Sequence, residues 1–169
     1  MRRNSLDSID QPALHGAASA VLAGEEVILS AVAPSRDVAF INAVVNDPSV
    51  RPFVGPEYLG ELDLSEAVAR PENLCLMGIH GGFLLAWSAP GVREVHTFVL
   101  PAGRGAWARQ ARAEMVAYCR ADGNAMLWTK IPPDQPHVER YAVEGGMRRT
   151  GQIVTTFGVP YMIYKMDLA

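Results

Sequence analysis

Apolar residues along this chain recur in two rhythms, and each change of rhythm marks an element boundary. Residues 11–23 are rich in alanine and predict a short helix, and the β-branched run 26–33 predicts a strand. With Ser35 as N-cap, Val38, Phe40, Ile41, Val44 and Val45 fall at helical spacing and stop at Asp47-Pro48. Pro48, Pro52, Gly55, Pro56 and Gly60 make residues 48–60 a run of turns, and a short helix is expected around 64–69. Residues 74–80 and 83–88 read as a hairpin about Gly81-Gly82. The strand 92–100 follows, with Val92, Glu94, His96, Phe98 and Leu100 on one face. A helix is expected over 103–121, with Ala108, Ala111, Met115 and Cys119 as its buried stripe. Residues 125–131 predict a strand, 136–144 a helix stopped by Gly145-Gly146, and 147–168 two strands broken near 158–160. The order β-α-(α)-β-β-β-α-β-α-β-β predicts an α/β (α+β) domain.

Length and composition narrow this further. A chain of 169 residues, 49% hydrophobic and 20% charged, forms one domain with a substantial core, residues 1–10 being a loose polar start. The net charge of −3 argues against a dedicated nucleic-acid binder. Basic character is lopsided: Lys130 and Lys165 are the only lysines among 15 basic residues. Cys75 and Cys119 lie in apolar runs and read as buried free thiols in a reducing compartment. Residues 73–92 carry no Asp, Glu, Lys or Arg, but His80-Gly81-Gly82 in their middle favours a turn over a membrane span. Arg2 and Arg3 precede acidic residues rather than an apolar run, so no secretory leader is expected and the chain is assigned to the cytoplasm.

The element order from residue 26 to 168 resembles the GCN5-related N-acetyltransferase (GNAT) superfamily, and two motifs carry the likeness. Leu100-Pro101-Ala102-Gly103-Arg104-Gly105 joins a strand to a helix, as in that superfamily's acyl-CoA motif. Residues 135–147, QPHVERYAVEGGM, look like its later helix, with Gly146-Met147 where Gly-Phe is usual. Arg-Gly-x-Trp-Ala after a Glu-x-His strand is also similar to GNAT-like proteins of phages and prophages. The resemblance implies a mixed, mostly antiparallel twisted sheet with flanking helices and a splayed parallel strand pair. It also implies acetyl-CoA as co-substrate, an amine acceptor and no metal.

The physical logic of the first motif stands beside the likeness. A helix start offers unpaired amides to a pyrophosphate, and Gly103 and Gly105 let the backbone come close. Arg104 and Arg109 add charged donors. Candidate cofactor-binding residues are therefore Phe98, Val99, Leu100, Gly103, Arg104, Gly105, Ala106, Trp107, Ala108 and Arg109, with Gln135 where the superfamily often has Asn. Aligned from Arg104, the pattern's first Gly falls on Trp107 and its second small residue on Arg109. The indole either crowds the phosphates or turns into the sheet.

Amine attack on a thioester needs a proton acceptor, and Glu94 and His96 lie on one face of the strand. Glu94 is the superfamily's choice, whereas His96 titrates nearer neutrality, and the sequence does not rank them. A backbone amide near Val99 or Leu100 is the expected oxyanion donor. Ala142 stands where the superfamily commonly has a Tyr acid. Tyr141 is one position off and reads as a packing residue, leaving Tyr161 and Tyr164 as other donors. His15, His80 and His137 show no metal-ligand spacing. The Met and aromatic residues of 157–166 read as core or as a face between two copies, so a homodimer is compatible. The acidic run 57–72 reads as a solvated loop, or as an attractor for a basic amine. The leading expectation is an acyl-CoA-dependent N-acyltransferase. The alternative is a catalytically degenerate binding protein, or a phage-related structural protein, on the same scaffold.

Overall fold

The computed structural model describes residues 30–56 and 60–168. The helix expected over 11–23 and the first half of the strand expected over 26–33 lie outside them; of that strand's described residues only Ala33 is in a strand, because pairing with β2 begins there. Seven strands, β1 (Ala33–Pro34), β2 (Leu74–Gly78), β3 (Gly81–Ala89), β4 (Val92–Val99), β5 (Met126–Ile131), β6 (Arg148–Thr156) and β7 (Val159–Asp167), form one sheet in the order β1-β2-β3-β4-β5-β7-β6. All neighbours are antiparallel except β4 and β5. The helices are α1 (Val38–Val45), α2 (Ser65–Ala69), α3 (Ala106–Ala121) and α4 (Pro136–Glu144). The expected element order and the mixed sheet with one parallel pair are thus both present.

Side-chain alternation splits the core between the two sheet faces. Ile41, Val44, Val45 and Val68 of α1 and α2 pack on Cys75, Met77, Leu84 and Phe98. On the other face Ala111, Met115, Val116 and Cys119 of α3, with Ala142 of α4, cover Leu76, Phe83, Leu85, Val95 and Leu127. Both cysteines are buried free thiols, and burial pushes Cys119 up to about 11. Tyr161, Met162, Tyr164 and Met166 are buried within this single chain, whereas Phe157 at the β6–β7 turn is exposed.

Three further boundaries differ from the sequence reading, each for a local reason. The α1 cap is Asp37, whose side chain accepts from the Phe40 amide at 3.0 Å, because the Ser35 amide is still tied to Cys75 O at the sheet edge. The β2–β3 turn is Ile79-His80, and Gly81 and Gly82 belong to β3. A Cβ at Gly82 would fall 2.0 Å from Leu76 O, so glycine serves a close strand approach there rather than the turn. A 3₁₀ turn over Pro101–Gly103 precedes α3, which starts at Ala106 rather than near Gly103.

Candidate functional site

The parallel pair is short. Val92, Arg93 and Glu94 of β4 face Met126, Leu127 and Trp128 of β5, and the pairing ends there. Beyond that point β5 stays with β7 through Thr129↔Tyr164, Lys130↔Ile163 and Ile131↔Met162, while β4 stays with β3. The two strands therefore fork. At the crotch Thr129 Oγ1 donates to Val95 O at 2.9 Å.

That bond also sets which backbone groups face the fork. Along a strand, the N–H and C=O of successive residues point alternately to the two neighbours. Val95 O faces β5, so the groups of Thr97 and Val99 do too, beyond the last β4–β5 pair. Phe98 and Leu100 face the other way: Phe98 is in register with Gly82, and the Leu100 amide donates to His80 O at 2.9 Å. The Phe98 side chain is buried under α1. Of the strand residues singled out as cofactor-binding, Val99 is the one whose amide faces the fork.

The forked strand leads into the start of α3. Gly105 sits at φ 105°, a conformation that favours glycine, and Arg109 N donates to Gly105 O at 3.1 Å as the first turn closes. The amides of Ala106, Trp107 and Ala108 thus have no intrahelical acceptor, and among the described residues no side chain caps this end. Trp107 packs away from those amides. Its ring lies edge-on to His80 with centroids 5.3 Å apart and touches the positions where Gly78 and Gly103 would carry a Cβ. Gly103 is required here, since its Cβ would fall 2.4 Å from that of His80.

Two other cofactor candidates are placed differently. Arg104 Nη2 donates to Ser49 O at 2.6 Å, and its guanidinium lies 5.8 Å from the Phe53 ring centroid. Phe53 in turn meets His137 at the start of α4, 5.1 Å between ring centroids. Arg109 is exposed and lines a groove of about 470 Å³ with Arg112, Arg120 and Gly145, farther along α3. Gln135 occupies the α4 N-cap position without its side chain capping the helix.

Glu94 and His96 share the face turned toward α1, as the alternation requires. His96 Nε2 lies 3.6 Å from Glu94 Oε1, and Lys130 Nζ lies 3.1 Å from the same oxygen. The ammonium is off hydrogen-bonding geometry, so Glu94 Oε1 is buried without a hydrogen-bond partner among the described residues. Burial pushes the His96 imidazole below its usual 6.5, the Glu94 carboxylate opposes this and the Lys130 ammonium adds to it. Arg93, on the opposite face, is held by Asn124, Glu72 O and Asp122. Lys130 was not singled out from the sequence. The available signal was its rarity, together with its place two residues beyond Trp128, the partner of Glu94.

Tyr141 and Tyr164 are committed elsewhere. Tyr141 OH donates to Ala108 O at 2.8 Å, the Arg112 guanidinium covers its ring at 4.5 Å, and burial raises the phenol to about 12. Tyr164 OH donates to Glu139 Oε1 at 2.6 Å, and burial with this bond raises it to about 12. Among the described residues no cluster of three or more His, Cys, Asp or Glu side chains could hold a metal, and no helix is long and apolar enough to cross a membrane.

Structural comparison finds the same architecture in acetyltransferases. A GNAT-family protein from Desulfovibrio desulfuricans superposes with a TM-score of 0.62 at 17% identity, over 82% of this chain and 98% of that one. The aminoglycoside acetyltransferase AAC(6')-Ib, in complex with paromomycin and acetyl-CoA, gives 0.60 at 16% identity, over 80% and 92% of the chains. Salmonella typhimurium yncA with its cofactor acetyl-CoA gives 0.58 at 15% identity, over 82% and 94%. No family sequence model and no curated protein sequence matches the chain. At these identities the likeness establishes the fold, which is that of the GNAT acetyltransferases.

Proposed function

We propose that this chain is an acetyl-CoA-dependent N-acetyltransferase that moves the acetyl group directly onto an acceptor amine. The observation that carries this reading is the continuity of the β4–β5 fork with the start of α3. Among the described residues the Val99 amide faces the fork beyond the last β4–β5 pair, and a short distance on the amides of Ala106, Trp107 and Ala108 have no intrahelical acceptor. An extended amide-bearing arm ending in a pyrophosphate fits such a path: the arm adds to the strand edge, and the phosphates meet the helix start. Two of the solved structures with this fold hold acetyl-CoA, which supports the assignment of the donor.

The chain's residues then divide the work. Thr97 and Val99 orient the thioester along β4, and the Val99 amide is placed to donate to the oxyanion as the carbonyl carbon becomes tetrahedral. Glu94 and His96 stand on the face toward α1, where the acceptor would approach. The acceptor belongs to the amine class, as does the aminoglycoside bound by one structural neighbour. Tyr141 and Tyr164 are engaged in internal hydrogen bonds and Tyr161 is buried in β7; in this reading the coenzyme's sulfur leaves as thiolate and takes its proton from water. The test is release of free thiol from acetyl-CoA on a panel of polyamines, aminoglycosides, amino acids and peptides. Amine-dependent release that is lost in Val99→Pro, which removes the amide, supports the reading. No release with any amine, from protein shown to bind acetyl-CoA, would leave a binding protein on this scaffold.

A further inference from the structure

Lys130 crosses the fork. It lies on β5 past the last β4–β5 pair, yet its ammonium returns to 3.1 Å from Glu94 Oε1 on β4. Both side chains are largely buried, with 27% of Lys130 and 14% of Glu94 exposed. Glu94 is thereby engaged in an ion pair across the fork, and taking a proton would break that pair. His96 Nε2 lies 3.6 Å from the same oxygen. We propose that Lys130 is a positioning residue that commits Glu94 to an ion pair across the fork and leaves His96 to take the proton from the acceptor amine. This rests on the acyltransferase reading above and ranks two bases that the sequence leaves equal.

Electrostatics at His96 agree with that division. Its own strand contributes Glu94, and β5 contributes Lys130. The elements packed against its face add little charge: α1 and β3 carry no ionisable side chain, and Glu66 of α2 pairs with Arg70. Tyr161 and Lys165 of β7 project from the same face of the sheet as Lys130, and Lys165 lies 3.8 Å from Asp167. Burial and Lys130 keep the imidazole neutral near pH 7, the state that can accept a proton. In the tautomer that carries its hydrogen on Nε2, the nitrogen 3.6 Å from Glu94, Nδ1 holds the free pair. As the amine nitrogen bonds to the carbonyl carbon, the C–S bond breaks. The amine's proton goes to Nδ1 and the sulfur departs as thiolate. The orphaned Glu94 Oε1 then faces an imidazolium and steadies it until water removes the proton.

Two readouts test this, and the first needs no turnover. The His96 Cε1–H resonance is titrated in the wild type, Lys130→Met and Lys130→Arg. The midpoint is expected below 6.5 in the wild type, higher by about half a pH unit or more in Lys130→Met, and restored in Lys130→Arg. An unchanged midpoint in Lys130→Met overturns the proposal whether or not the protein acetylates anything. The second readout is the acidic limb of kcat/KM on whichever amine is accepted. It should move up in Lys130→Met, move down in Glu94→Gln and vanish in His96→Asn. A limb that survives His96→Asn and vanishes in Glu94→Gln makes Glu94 the base and overturns the proposal.

Discussion

Trp107 packs edge-on against His80, 5.3 Å between ring centroids, and so turns its indole away from the amides at the start of α3. The residue that interrupts the glycine pattern of the acyl-CoA motif is thereby a wedge between α3 and the β2–β3 turn. Trp107→Ala should cost about 2–4 kcal/mol in urea unfolding, because a large half-buried ring is lost. Affinity for CoA should change by less than about threefold. A large gain in affinity would mean that the ring does reach the phosphate space.

Arg104 links the β4–α3 turn to the α1–α2 connection through Ser49 O and lies against Phe53. In the proposed reading it serves CoA through its charge. Arg104→Ala should weaken CoA binding by about 10- to 100-fold, the equivalent of one charge-assisted hydrogen bond. Phe53→Ala should leave binding within about threefold. Calorimetric titration of both variants makes the comparison.

Tyr141 gives its hydroxyl to a helix carbonyl, so it is a strut between α4 and α3 rather than a proton donor. Tyr141→Phe should lower stability by about 0.5–1.5 kcal/mol and leave acetyl transfer within about twofold. A hundredfold rate loss with the fold intact would make that hydroxyl the acid.

Stability should fall on acidification because of His96. Its folded-state value lies below the unfolded 6.5, so between the two the unfolded chain binds more protons and stability rises with pH. Descending through pH 6.5 therefore costs stability progressively, until the folded-state value is passed. Urea midpoints measured from pH 8 to pH 5 should show this decline, and His96→Asn should flatten it.

Much of this architecture is written in local pattern. The alternation of Val95 and Phe98 about Glu94 and His96 already puts the two titratable groups on one face. The 3.6-residue stripe Ala108, Ala111, Met115, Cys119 is the buried side of α3. What local pattern does not carry is approach between distant segments. Gly81 and Gly82 look like a turn, but they are in β3 because Leu76 O and Phe98 O come too close for a Cβ. Ser35 is a good N-cap by composition, yet the ladder bond of its amide to Cys75 moves the cap to Asp37. Lys130 escapes for the same reason, since its partner lies on another strand across a fork that only the fold creates.

The proposed acetyl transfer stands most directly on whether this chain binds acetyl-CoA. Thermal unfolding with and without acetyl-CoA measures it. At about 100 times its dissociation constant the ligand should stabilise the fold by about 2.7 kcal/mol, roughly 5–11 °C for a chain of this size. At the same ligand concentration the gain should fall to about 0.4–1.4 kcal/mol in Arg104→Ala and be retained in Trp107→Ala. An unfolding temperature unmoved by millimolar acetyl-CoA would contradict the account.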